Sequence, residues 1–144
     1  MIAVDQPLIS VDPIPPGHFC WVDLAAADAG KAKAFYGELF GWRSSEQRAN
    51  GGSFALLQLA GANVGSLYQL DLAHRQRGVP SHWTPYVRVE DIEQASRRVA
   101  ALGGSLLVGP LCIPGVAHIA LVADPEGATL GLWQPLAPAG VPGG

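Results

Sequence analysis

Asp28-Ala-Gly-Lys-Ala-Lys-Ala-Phe-Tyr-Gly-Glu-Leu-Phe-Gly41 and Asp91-Ile-Glu-Gln-Ala-Ser-Arg-Arg-Val-Ala-Ala-Leu-Gly-Gly104 are the two stretches on which the fold turns. Each opens on an aspartate suited to accept from the free N–H groups of a first helical turn, and each closes on glycine. In the first, Ala32, Phe35, Tyr36, Leu39 and Phe40 repeat at the spacing of one buried helix face; in the second, Ile92, Ala95, Val99 and Leu102 do so, with Gln94 at the capping-box position. Two helices of about three turns are expected. Asp28 and Asp91, Leu39 and Leu102, and Gly41 and Gly104 are each 63 residues apart. That is the mark of an internal repeat.

The flanks extend the repeat. A strand-like run precedes each helix, His18 to Leu24 and His82 to Val89. Three more follow each: Trp42 to Gln47, Ser53 to Leu59 and Asn63 to Leu70, then Ser105 to Val108, Ala117 to Ala123 and Thr129 to Gln134. Gly61-Ala62-Asn63-Val64-Gly65 matches Gly127-Ala128-Thr129-Leu130-Gly131 at an offset of 66. Both halves read strand, helix, strand, strand, strand. An α+β domain of two βαβββ modules follows, with module one over 18–70, a polar linker over 71–81 and module two over 82–135. Residues 1–17 form an N-terminal extension and 136–144 a Pro/Gly-rich flexible tail. Asp124-Pro125-Glu126-Gly127 reads as a tight structural turn.

Composition narrows the function classes. A chain of 144 residues, 49% hydrophobic and 15% charged, is one globular domain with a real core. Its net charge of -3 and the lack of a basic stripe argue against a nucleic-acid partner. The start has no positive signal-peptide region and no apolar run is long enough for a membrane span, so a cytoplasmic protein is expected. Two cysteines, Cys20 and Cys112, make no disulfide framework and read as reduced core residues.

Trp21-Val22-Asp23-Leu24, Phe35-Tyr36, Leu39-Phe40-Gly41-Trp42, Asp124-Pro125-Glu126-Gly127-Ala128 and Leu132-Trp133-Gln134, taken in order, resemble the vicinal-oxygen-chelate superfamily of glyoxalase, bleomycin-resistance and dioxygenase proteins. They are most similar to the actinobacterial glyoxalase-like proteins often labelled hydroxylase. The resemblance implies that the modules form a cup-shaped mixed sheet with helices outside and ligand chemistry on the concave face. It also implies four metal positions, which fall on Trp21, Gly65, Thr84 and Gly131. None is a histidine, carboxylate or cysteine, so no metal and no cofactor is expected, and metal-dependent glyoxalase or dioxygenase activity is disfavoured.

Strand alternation then sets the neighbours of those positions. Phe19, Trp21 and Asp23 are expected to face the cup from the first strand, His82, Thr84, Tyr86 and Arg88 from the fifth, and Thr129, Gly131 and Trp133 from the eighth. Such an aromatic floor suits a flat or largely apolar organic molecule, with His118 as a further polar contact. The ligand-binding set is therefore Phe19, Trp21, Gly65, Thr84, His118, Thr129, Gly131 and Trp133.

Three functions compete for this cup. The leading one is metal-free binding of a small aromatic or polyketide-like compound, without chemical change. The second is a metal-independent isomerase, cyclase or lyase of specialised metabolism, with Asp23 or His82 as general base and Tyr86 and Arg88 stabilising an enolate-like oxygen. Asp23 and Arg88 are equally well read as a salt bridge with each other. The third is a metalloenzyme, for which His18, His82 and His118 would have to form a displaced site with Asp23. A homodimer is expected, because cups of this family are often completed at a subunit interface.

Overall fold

The computed structural model describes residues 7–49 and 52–137. It is an α+β structure whose chain order is β1 (Phe19–Ala26), α1 (Ala29–Phe40), β2 (Arg43–Ala49), β3 (Gly52–Leu59), β4 (Ala62–Gln69), α2 (Leu72–Gln76), β5 (His82–Arg88), α3 (Ile92–Ala101), β6 (Ser105–Ile113), β7 (Ala117–Ala123) and β8 (Thr129–Pro135). Two βαβββ modules are present as expected, with hydrogen-bonded strand orders β2-β3-β4-β1 and β5-β8-β7-β6. The chain divides into two compact units: Trp21–Thr84, and Pro85 onward together with the residues up to Cys20.

In the unit of Trp21–Thr84, helix α1 starts and stops where its caps dictate. The Asp28 carboxylate accepts from Lys31 N at 3.0 Å, and Gly41, at φ 78°, donates its N–H to Gly37 O. A cap of this kind is worth about 1 kcal/mol. Leu24, Ala26, Leu57 and Leu67 form a buried cluster, and Ala29, Ala32 and Tyr36 of the helix pack against it with Trp42 and Val64. The apolar stripe of α1 is wider than this contact. Phe35, Leu39 and Phe40, expected in the core, are 59%, 57% and 50% exposed. Phe35 and Phe40 join a cluster around Tyr36, whose ring meets Phe35 at 5.0 Å, Trp42 and Trp83 at 5.5 Å, and Phe40 at 6.2 Å. The expected linker contains helix α2, capped by Asp71, whose carboxylate accepts from His74 N at 2.8 Å.

One irregularity in β4 decides which side chains face where. Against β3, Leu57 pairs with Gly65 but Gln58 pairs with Asn63, which leaves Val64 as an extra residue, a β-bulge. Beyond it, parallel pairing with β1 sets Asp23 opposite Ser66 and Leu24 opposite Leu67. Leu67 belongs to the cluster under α1, so Gly65, two residues earlier, shares the helix side and Ser66 faces away from it. A Cβ added at Gly65 would indeed meet Val22 Cγ2 at 3.1 Å. The inward position expected at Gly65 therefore belongs to Ser66. The sequence repeat hid this: Gly61 and Gly127 are 66 apart, but Ser66 and its register counterpart Gly131 are only 65 apart.

In the second unit, α3 is capped by Asp91, which accepts from Gln94 N at 3.0 Å, and its Ile92 forms a buried cluster with Ala120, Val122 and Leu132. Strand β6 runs on to Ile113 rather than ending at Val108. The Gly109-Pro110 pair is absorbed by register shifts against β7, where a proline need not donate to the ladder. Gly109, at φ 78°, is required there, since a Cβ would meet Ile119 O at 2.8 Å. The expected turn at Asp124 is held by its own carboxylate, which accepts from Glu126 N and Ala128 N.

The described part of the N-terminal extension is docked on this unit. Ile9 and Val11 are 3% and 4% exposed, and Leu8 N donates to Gly115 O. Arg88 Nη1 donates to Asp12 Oδ1 and to Ile14 O, both at 2.7 Å. Val87 pairs with Leu132 of the helix-side cluster, so Arg88 and Tyr86 point away from α3, and the segment lies on the sheet face opposite the helix. Of the expected tail, residues 138–144 lie outside the described residues.

Candidate functional site

The sheet face of module one opposite α1 carries the strongest chemical grouping. Register and alternation bring Trp21, Asp23, Ser66 and Leu56 to the side opposite α1, with Phe54 and Tyr68 on the same rows. Trp21 Nε1 donates to Ser66 Oγ at 2.8 Å, and Ser66 Oγ donates to Asp23 Oδ1 at 2.8 Å. Trp21, Ser66 and Leu56 are buried, and Asp23 is half-buried with most of its carboxyl enclosed. On the outer strand, Gln47 Nε2 donates to Ser45 Oγ beside this face.

Charge is costly here. Burial pushes the Asp23 carboxyl up to about 6, although the Ser66 hydroxyl and the charge of nearby His82 both pull it down. Tyr68 is raised by burial and then by the negative charges of Asp23 and Asp71. His82 itself is exposed, with Nδ1 2.9 Å from Pro80 O. This group is a carboxyl poised to change protonation near neutral pH, set among aromatic and aliphatic side chains.

The remaining expected site residues are distributed differently. Thr84 is buried. Tyr86 and Trp133 are buried too and meet edge to face at 5.6 Å, with the Tyr86 ring lying over Gly131. Arg88, expected to pair with Asp23 or a ligand, has its guanidinium on Asp12 and Ile14. Phe19 and Thr129 are exposed. His118 pairs with Gln134, whose side chain accepts from Ile92 N, and so lies on the α3 face of its sheet, opposite Tyr86 and Trp133. Cys112 is exposed rather than a core residue, whereas Cys20 is buried and its thiol is pushed up to about 11.

The donor set does not fit a divalent metal. The Trp21 indole nitrogen only donates, and it is committed to Ser66. Gly65 is turned to the helix side, Thr84 offers only a neutral hydroxyl, and a side chain at Gly131 would enter the Tyr86 ring, with a Cβ 2.2 Å from Cδ2. Among the described residues no group of three or more His, Cys, Asp or Glu converges to hold a metal. No described helix is long and apolar enough to cross a membrane.

Ser66, Tyr68 and Asp12 were not identified from the sequence. Ser66 was hidden by the bulge at Val64. Asp12 was hidden by distance, since it lies 76 residues from Arg88 in the chain. No local pattern signals such a pair.

Residues 17–132 match the family model described as the Glyoxalase/Bleomycin resistance protein/Dioxygenase superfamily. The anthracycline biosynthesis protein DnrV of Streptomyces peucetius is 31% identical over 130 residues, covering 83% of this chain and 47% of that protein. The putative glyoxylase CFP32 of Mycobacterium bovis is 31% identical over 116 residues, covering 79% and 44%. The chain thus spans about half the length of the curated relatives it matches. Among solved structures, methylmalonyl-CoA epimerase from Mycobacterium tuberculosis superposes with a TM-score of 0.61 at 21% identity, covering 85% of this chain and 90% of that one. The Mn(II)-bound glyoxalase from Novosphingobium aromaticivorans gives 0.57 at 21%, covering 85% and 40%. At these identities the structures share the fold.

Proposed function

The chain belongs to the Glyoxalase/Bleomycin resistance protein/Dioxygenase superfamily, and from that premise we propose that it binds a small, largely apolar or aromatic organic molecule, without a metal, on the sheet face of module one opposite α1. The observation that carries this reading is the Trp21–Ser66–Asp23 hydrogen-bond chain among Leu56, Phe54 and Tyr68. Aromatic and aliphatic surface supplies contact area, and a single oriented carboxyl supplies direction. The similarity to an anthracycline biosynthesis protein supports a flat, fused-ring compound as the ligand class. Titration with 1,8-dihydroxyanthraquinone, followed by calorimetry, is expected to give saturable binding that Leu56→Asp abolishes. Binding that survives the buried charge of that variant would put the ligand elsewhere.

One observation favours a second reading. A carboxyl raised to about 6 suits a general base at neutral pH, as in a metal-independent isomerase, cyclase or lyase. In such a step the ligand's C–H bond breaks, its proton passes to the Asp23 carboxylate, and the electron pair moves into the adjacent carbonyl to form an enolate. Proton return to carbon then completes an isomerisation. Incubation of the protein with an acidic ketone in D2O separates the readings: binding alone leaves the C–H unlabelled, and proton transfer exchanges it.

The same proposal places the protein in the cytoplasm as a homodimer. The two free cysteines suit a reducing compartment. The exposed cluster of Phe35, Leu39 and Phe40 suits burial against a second copy: each side chain leaves about 100 Å² uncovered, so a two-fold contact would remove several hundred square ångströms of apolar surface per chain.

A further inference from the structure

Ser66 stands between two groups whose hydrogen-bonding capacities differ. The indole N–H of Trp21 donates and never accepts. An ionised carboxylate accepts and never donates. Ser66 Oγ, at 2.8 Å from each, takes the indole proton on a lone pair and turns its own proton toward Asp23 Oδ1. The hydroxyl has one proton, and the geometry has already assigned it.

We propose that Ser66 is a positioning residue, aimed by Trp21, which holds the Asp23 carboxyl in one orientation and favours its ionised form, so that the second carboxylate oxygen is the one offered to a ligand. The proposal deepens the reading of Asp23 as the polar contact of the binding face and rests on it. Both supports of the chain are buried, and Ser66 shares its row with the buried Leu56, so no large rearrangement is available to the hydroxyl. Among the described residues, the other titratable groups that interact with Asp23 are His82, from the start of β5, and Tyr68, two residues beyond Ser66 on β4. His82 favours the carboxylate through charge alone and Tyr68 is disfavoured as an anion beside it. Ser66 is the group that also sets direction.

The test needs no ligand. The Asp23 carboxyl is followed by 13C NMR across pH in the full chain, as wild type, Ser66→Ala and Trp21→Phe, with amide dispersion recorded to confirm folding. Loss of the hydroxyl removes a stabiliser of the charged form, so Ser66→Ala should raise the Asp23 midpoint by about one pH unit. Trp21→Phe keeps the hydroxyl but frees its proton, and should raise the midpoint by less. Unchanged or lowered midpoints in folded variants overturn the proposal. If Ser66→Ala does not fold, Trp21→Phe decides alone. Ser66→Thr, which keeps a hydroxyl, should return the midpoint to the wild-type value, whereas a purely structural role for Ser66 would leave the midpoint indifferent to all three changes. Anthraquinone titration of the same variants reads the parent proposal separately: a midpoint that moves as stated in a protein that binds no ring compound sustains the role of Ser66 and removes the ligand class.

Discussion

Arg88 Nη1 donates to Asp12 Oδ1 at 2.7 Å, joining β5 to a segment 76 residues earlier in the chain. The Asp12 carboxylate is mostly exposed, so this ion pair alone contributes less than about 1 kcal/mol. The second bond, to Ile14 O, and the burial of Ile9 and Val11 hold the segment more firmly. Asp12→Asn should therefore change stability little, whereas Ile9→Ala should cost about 2–4 kcal/mol in urea unfolding. Hydrogen exchange at Leu8 and Gly17 should quicken in Arg88→Gln. Exchange unchanged in that variant would show that the segment is held without Arg88.

Gly131 tests the packing of Tyr86 over β8. Its hypothetical Cβ lies 2.2 Å from Tyr86 Cδ2, and Tyr86 is itself packed edge-on against buried Trp133, so the ring has little room to yield. Gly131→Ala should destabilise by about 2–3 kcal/mol. Gly65→Ala, facing Val22 at 3.1 Å, should cost less. Paired urea melts compare them, and equal losses would contradict the packing described.

Asp23 makes stability depend on pH in a definite direction. Its folded-state value is raised from 3.8 to about 6. Below about 4 both folded and unfolded states hold the proton and there is no penalty. Between about 4 and 6 the unfolded chain ionises first, so stability falls as pH rises, and above about 6 the penalty is complete at about 1–3 kcal/mol. Asp23→Asn should remove this slope and be the more stable protein at pH 8. A wild type whose urea midpoint, measured against Asp23→Asn, does not fall relative to the variant between pH 4 and 7 would refute the burial argument.

The exposed face of α1 predicts an oligomeric response. Leu39→Glu should convert a dimer to a monomer in sedimentation velocity, and because Leu39 is already 57% exposed it should leave the unfolding midpoint of the separated chain within about 0.5 kcal/mol. A wild-type chain that sediments as a monomer at high concentration ends the dimer reading.

How much of this was legible in the sequence differs by residue. Asp28, Gly41 and Asp91 announced the helices because capping is local chemistry, satisfied within four residues. The two modules were legible because the repeat is a property of order along the chain. The stripe on α1 was legible as a stripe, but not its coverage, since that depends on how much of the helix the sheet beneath can reach. Trp21 and Asp23 were recognisable as neighbours on one face, while Ser66, the atom between them, was not. Period-two reasoning carries facing correctly only until the first extra residue, and nothing in Asn63-Val64-Gly65 distinguishes a bulge from a regular strand.

That extra residue in β4 has a consequence at the level of the gene. Removing the single codon for Val64 would leave an even strand with its pairings kept, Gln58 opposite Asn63, Leu57 opposite Gly65 and Asp23 opposite Ser66, and Ser66 would then stand at the same distance from Gly131 as Gly61 does from Gly127. That the repeat sets Gly65 against Gly131 while the register sets Ser66 there is therefore better counted as a change of length than as a change of letter.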